Sequence, residues 1–362
     1  MRYRYDFHLF PVGVLFLTFI SASSGYAWTQ EELLERIDSQ RMKADFNVLV
    51  GVTPVSGDPI ISRNVHHPDH QRVQTWLEAQ LTDIGSVEVY REDFSALGED
   101  SLANIVGELP GSDPTLPSIV VGAHYDSIAT LDPSQNWDPT VDPAPGADDD
   151  ASGVVAVLEL ARVLGAWEGG HERTIRFVLF DAEEYGLIGS FEHTSLLADE
   201  GGEVELAYSL DPIGYNPGGA YVLWSTYDAR WPIHSATLVD IAEGIASPLS
   251  VQSVDQETIG GDMRSDHYPF WFREMPAIHL GSFPQPSTYH TMNDSLDNVD
   301  LDYHQAVVSL VGAQVNELAL PLEVLAGCGC RHSSLHGYGP TKLLILLGLL
   351  IVRRRSSCDE RT

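Results

Sequence analysis

The chain has 362 residues, 43% hydrophobic and 20% charged, the composition of a globular protein long enough to bury a sizeable core. Its 52 acidic residues against 20 Lys and Arg give a formal charge of -32. So acidic a chain excludes nucleic acid as a partner, because too few cations are present to replace phosphate counterions.

In chain order, Arg2 and Arg4 come first, then an apolar run from Val12 to Ile20, then small residues. This is the layout of a secretory signal peptide over 1–27, too short to span a bilayer. Helical spacing follows over 29–50 and 69–84, where Val73, Leu77 and Leu81 share one face. "HHPDH" (His66, His67, His70), at the start of the second helix, reads as surface. After Gly85 the pattern becomes strand-like, in "SVEVYREDF" and "NIVGELPG".

From 118 onward, apolar runs of strand length alternate with helical stretches at 153–165, 186–199, 231–246 and 300–318. The strands are "SIVVGAHYDS", "TIRFVLFDAEE", "LAYSLDPIG", "AYVLWST" and "PAIHLGS". Such alternation predicts one α/β domain over 28–325, with a doubly wound, mostly parallel central sheet and helices on both faces. Ligands of such sheets collect beyond the carboxyl ends of the strands.

The polar residues that follow these strands carry the chemistry. His124 and Asp126 end one strand; Asp148, Asp149 and Asp150 sit at a helix start; Asp181, Glu183 and Glu184 end the next strand; Asp211 ends another; His290 lies on a loop. The Pro- and Asp-rich segment 131–147 lies between two of these motifs and is placed to rim the site. Carboxylates gathered this densely repel one another unless cations share the site. Nitrogen and oxygen donors without thiolate suit zinc, or cobalt and manganese under other loading, whereas calcium prefers an all-oxygen shell. Two ions about 3.5–4 Å apart need a bridging carboxylate, and the middle of the aspartate triplet is placed for it.

"HYDS", "PGADDDASG", "DAEEYGLIGS", "SLD" and "YHTMNDS", in this order, resemble the co-catalytic dizinc aminopeptidase family over residues 60–318. That family also holds bacterial leucine aminopeptidases, glutamate carboxypeptidases and glutaminyl cyclases. The resemblance implies a zinc-exopeptidase domain in which His124 and Asp211 hold one zinc, Glu184 and His290 the other, and Asp149 bridges both. It implies Glu183 as general base toward a metal-bridging water, Asp126 as the residue that orients His124, and a cis peptide at Asp149–Asp150. The implied activity is hydrolysis of the N-terminal peptide bond of peptides with a free N-terminus. The alternatives are a carboxypeptidase or dipeptidase of the same fold, or a one-zinc glutaminyl cyclase.

"RSDHYPFW" matches a recurring family segment, and its Ser265, Asp266 and His267 are read as packing or hydrogen-bond partners. Phe283 and Tyr289 are candidates for the wall of a side-chain pocket. Two positions depart from the bacterial leucine aminopeptidases. Asp262 stands where a tyrosine between disulfide cysteines is expected, with Arg264, a candidate for binding a substrate carboxylate, close by; and Pro212 follows Asp211.

At the other end, Cys328 and Cys330, an apolar run from Leu343 to Val352, and Arg353 to Arg355 resemble a CTERM-type sorting tail of the Cys-Gly-Cys variety (Myxo-CTERM) over 326–362. The resemblance implies export to, or anchoring at, the outer surface of a bacterium, with membrane contact through the tail only. The three cysteines, including Cys358, all lie there, so the body has no disulfide and depends on packing or metal for its stability. A monomer is expected.

Overall fold

The computed structural model describes residues 30–320 apart from 135, 168 and 169. The signal peptide expected over 1–27 and the tail expected over 326–362 lie outside the described residues.

Two helices open this part, α1 (Gln30–Leu34) and α2 (Ser39–Leu49), where the spacing predicts one. Asp38 makes the break: its carboxylate accepts from the backbone N–H groups of Gln40 and Arg41 and caps α2. α3 (His70–Thr82) follows and buries Val73, Leu77 and Leu81. Then come β1 (Glu88–Ala96), β2 (Glu99–Leu109), β3 (Ser118–His124), α4 (Ala151–Gly165), β4 (Ile175–Phe180) and α5 (Ile188–Asp199). The remainder is β5 (Val204–Leu210), β6 (Val222–Tyr227), α6 (Pro232–Gly244), β7 (Ser250–Asp255), α7 (His267–Phe272), β8 (Ala277–Gly281) and α8 (Leu301–Ala319).

One eight-stranded sheet runs in the order β1-β2-β4-β3-β5-β8-β6-β7. Its centre, β4-β3-β5-β8, is parallel throughout. β2 runs against β4, and β6 runs against β8 with β7 alongside it in the same sense, so the antiparallel pairings are all outside the centre. The expected doubly wound, mostly parallel sheet is therefore present. β7 and α7 have no counterpart in the sequence reading. β7 is a mostly polar edge strand, and α7 is six residues with Pro269 inside, so neither carries a hydrophobic period.

Strand residues alternate between two cores, as a period of two requires. Ile119, Val121 and Ala123 of β3, with Ile175, Phe177 and Leu179 of β4, face the larger core formed with α2, α3, α4 and α8. Val120, Val178 and Phe180 face the other, closed by Leu197 of α5 and by Phe270 and Trp271 of α7. Helices thus cover both faces, and the sheet's carboxyl edge is left to the loops.

Those loops are tied down by Arg63, whose side chain is fully buried. Its guanidinium donates to the carbonyls of Tyr125 (2.7 Å), Gly146 (2.9 Å), Leu49 (3.2 Å) and Pro145. It joins the segment after β3 to the segment before α4. A Cβ at Gly146, where φ is +51°, would collide with the Asp149 carbonyl oxygen and crowd this guanidinium. "HHPDH" is not surface throughout: His70 is buried, with Nδ1 2.9 Å from the Arg63 carbonyl and Nε2 3.0 Å from Asp181 Oδ2.

Two outcomes follow for stability. Arg63→Met removes four hydrogen bonds to backbone carbonyls and takes a cation from among buried carboxylates. Urea unfolding of the chelator-treated protein is expected to show a loss of about 3–5 kcal/mol. His304, buried on α8 with its Nε2–H donating to the Ser152 carbonyl at 2.8 Å, has its pKa pushed down to about 4 by burial. The unfolded chain takes up that proton near pH 6.5 and the folded chain refuses it until about pH 4, so stability falls as pH drops through this window. His304→Gln keeps a donor but does not titrate. In a pH series of urea unfolding it is expected to remove up to about 3 kcal/mol of that fall.

Candidate metal centre

Each polar residue at the carboxyl edge is aimed by the element that ends there. β3 ends at His124, and its Nδ1 faces the Asp126 backbone carbonyl at 3.2 Å and Oδ1 at 3.4 Å. The Asp126 carboxylate accepts the backbone N–H of Glu183 (2.9 Å) and of Glu184 (3.2 Å). After β4 the chain turns sharply at Ala182, whose φ of +53° lies in the left-handed region. Asp181 stays behind, accepting from Ala103 N–H and Gln74 and facing His70, while Glu183 and Glu184 turn toward His124 and His290.

The aspartate triplet divides into three tasks. Asp148 Oδ1 accepts from Gly214 N–H at 2.8 Å, which holds the loop after Asp211. Asp150 caps α4, accepting from Gly153 N–H at 2.8 Å. A Cβ at Gly153 would strike the Leu210 carbonyl, so only glycine lets α4 start so close to β5. Asp149 between them, joined to Asp150 by the implied cis peptide, faces the two imidazoles.

Asp149 Oδ1 lies 3.2 Å from His124 Nε2, and Oδ2 lies 2.7 Å from His290 Nε2. Asp211 Oδ1 is 3.6 Å from His124 Nε2, and Glu184 Oε2 is 3.2 Å from His290 Nε2. Two three-residue groups of donor atoms result, His124–Asp149–Asp211 and Asp149–Glu184–His290, with Asp149 common to both. All five sequence-derived ligand candidates are brought together. Glu183 Oε2 is 3.9 Å from His124 Nε2, beside the cluster.

The donor set fits divalent metal. Asp149 Oδ2, Glu184 Oε1 and His290 Nε2 are buried and make no hydrogen bond among the described residues. His290 Nε2 and Asp149 Oδ2 touch without the alignment of a hydrogen bond, as two lone-pair donors to a common cation do. Nitrogen and carboxylate oxygen without thiolate suit zinc. Without an ion, protons do the same work. Burial and the Asp149 charge push Glu184 up to about 8. Against the pull of burial, contacts with Asp149 and Glu184 lift His290 to about 10. Asp149 goes the other way: burial opposes its charge, but the two imidazoles hold its carboxyl below the ordinary range. Burial also raises Glu183 well above the usual glutamate value.

Several residues here escape sequence reading. Asp294, inside "YHTMNDS", accepts the backbone N–H of Asp148 and Asp149 (both 3.1 Å) and fixes the turn that presents Asp149. Asp266, read from the sequence as a packing or hydrogen-bond partner, is fully buried with neither oxygen hydrogen-bonded among the described residues, and burial pushes it up to about 7. His279, inside β8, donates from Nε2 to the Asp211 carbonyl at 2.6 Å, while Nδ1 faces Asp262 Oδ2 at 3.1 Å. Asp262, His267 and His279 also lie close enough to suggest a third ion group. The two imidazoles, however, stack with planes 7° apart and centroids 4.7 Å apart, so their in-plane lone pairs do not converge on one ion. His290, at φ +54°, is stacked on Tyr289 at 3.7 Å and anchors the 131–147 segment through Leu131 N–H to the His290 carbonyl.

Comparison with known proteins places the chain among peptidases. Leucine aminopeptidase 1 of Phaeosphaeria nodorum is 34% identical over 267 residues, covering 67% of this chain and 63% of that protein. The chain spans less than two thirds of the length of the curated relatives it matches. Two crystal structures share the fold. The LapA aminopeptidase of Legionella pneumophila does so with a TM-score of 0.66 at 22% identity, over 82% of this chain and 77% of that one. The glutaminyl cyclase of Bacteroides thetaiotaomicron bound to N-acetylhistamine gives 0.61 at 21% identity, over 78% and 98%. The model of peptidase family M28 matches residues 104–315, more than half of the chain and all five clustered donors, and the chain belongs to that family.

Proposed function

We propose that this protein is a zinc-dependent aminopeptidase that uses two zinc ions bridged by Asp149. One observation carries the reading: the two oxygens of a single carboxylate are divided between two imidazoles, at 3.2 and 2.7 Å, each imidazole with a further carboxylate of its own. A one-zinc cyclase needs only half of this arrangement. Zinc held there supplies Lewis acidity toward the scissile carbonyl and brings the pKa of water down toward about 7.

The protein's own residues do the rest. Glu183, buried beside His124 and taking no part in either three-donor group, accepts the proton of the attacking water and returns it to the departing amine. Its raised pKa suits both halves of that task. Asp126 fixes the backbone of Glu183 and Glu184 together, so base and ligand keep one spacing.

The body is further proposed to be exported and displayed at a bacterial surface. The basic and apolar pattern of 1–27, and the Cys-Gly-Cys, apolar and arginine sequence of 326–362, support this.

Three measurements test the catalytic reading. Glu183→Gln is expected to keep its zinc by elemental analysis and lose about 10²–10⁴-fold in kcat/KM on peptides with a free N-terminus; undiminished turnover would refute the assignment. N-acetylation of the peptide should abolish cleavage while C-amidation spares it. Asp149→Ala should lose zinc from both positions, whereas His290→Ala should lose it from one.

A further inference from the structure

Arg264 stands out from the other cations near the metal centre because it is held rigidly and still faces solvent. Its side chain is 60% exposed. Nε donates to Asp262 Oδ1 at 2.9 Å, and the guanidinium carbon lies 5.2 Å over the Phe283 ring. Asp262 is itself fully buried and faces His279, which donates to the carbonyl of the ligand candidate Asp211. Arg264 is thus linked to the metal centre by three hydrogen-bonding contacts of 2.9, 3.1 and 2.6 Å. A side chain fixed this way loses little entropy when it binds a ligand.

The charge is also available. Asp262 divides its two oxygens between Arg264 and His279, so it does not neutralise Arg264 alone. The two terminal nitrogens of the guanidinium make no hydrogen bond among the described residues, which leaves a two-donor edge free. Such an edge matches a carboxylate with two parallel N–H···O bonds. Arg63, the other arginine at this end of the sheet, is fully buried and spends its donors on backbone carbonyls.

We infer that Arg264 is a specificity residue that reads a carboxylate on the substrate close to the scissile bond, so that acidic peptides are preferred over their neutral counterparts. This rests on the peptidase reading above. A side-chain carboxylate of the first residue, one of the second residue, and the terminal carboxylate of a dipeptide offer the same chemistry.

The test uses the zinc-loaded full chain and three matched pairs: Glu-Ala-amide with Gln-Ala-amide, Ala-Glu-amide with Ala-Gln-amide, and Ala-Ala with Ala-Ala-amide. One pair is expected to show an acid-over-neutral ratio in kcat/KM of about tenfold or more, and which pair does so identifies the source of the carboxylate. Arg264→Gln should bring that ratio to about one, and Arg264→Lys, which keeps the charge without the fork, should give an intermediate value. Calorimetric titration of the same six peptides into the Glu183→Gln protein reads recognition without turnover. If no peptide is hydrolysed by the wild type, the peptidase reading falls, and the binding ratios still decide about Arg264. Ratios of one or less in all three pairs, or a ratio that survives Arg264→Gln, overturn the inference.

Discussion

What the rest of the structure answers to is the repulsion among carboxylates buried at one end of a parallel sheet. Asp126, Asp148, Asp149, Asp150, Asp181, Glu183, Asp211 and Asp294 are all buried there. They differ in what satisfies them. Asp126, Asp148, Asp150, Asp181 and Asp294 each accept at least one backbone N–H. A carboxyl group held by the backbone in this way is fixed in position, rigid as a strut. Among the described residues Asp149, Glu183, Glu184 and Asp211 have no backbone donor, and they are the ones grouped around His124 and His290. Scaffold and chemistry thus separate by hydrogen-bond partner, not by residue type. Asp266 alone crosses the division, being buried, unbonded and outside both donor groups.

The arrangement stays precise because the backbone that carries it has little freedom. Left-handed φ values at Ala182 (+53°) and His290 (+54°) fall next to Glu183 and on a ligand candidate. Such conformations cost about 1–3 kcal/mol and persist only where surrounding contacts dictate them. Here the contacts are visible: Asp126 under the Glu183–Glu184 turn, and Leu131 on the carbonyl of His290. Arg63 adds a buried guanidinium that spans two of the loops, and its own pKa is lowered by burial while Asp150 and Asp294 pull it up.

Sequence was enough to point to most of the donor candidates because three of the five follow an apolar strand, and an apolar strand is the strongest periodic signal a sequence offers. His124, Glu184 and Asp211 can be read that way, and Asp149 from its place at a helix start. Arg63, His70 and His279 cannot, since each has a backbone carbonyl as a partner and a carbonyl has no letter in the sequence. Asp294 was inside a quoted motif, yet its role depends on backbone N–H groups 145 residues away. The single helix expected over 29–50 failed for a related reason: helical spacing continues across Asp38, but the capping hydrogen bonds do not.

The triplet shows how much depends on register. Three adjacent aspartates point three ways because a strand-end loop becomes a helix within those residues: one toward Gly214, one toward the imidazoles, one back into the first turn of α4. The chemistry of the three side chains is identical, so nothing but position assigns the tasks. A deletion within the triplet makes one carboxylate answer for two places, the helix cap and the bridge. The cap needs an oxygen 2.8 Å from Gly153 N–H, and the bridge needs both oxygens facing His124 and His290. One side chain cannot meet both demands, so three aspartates are the least that this turn can use.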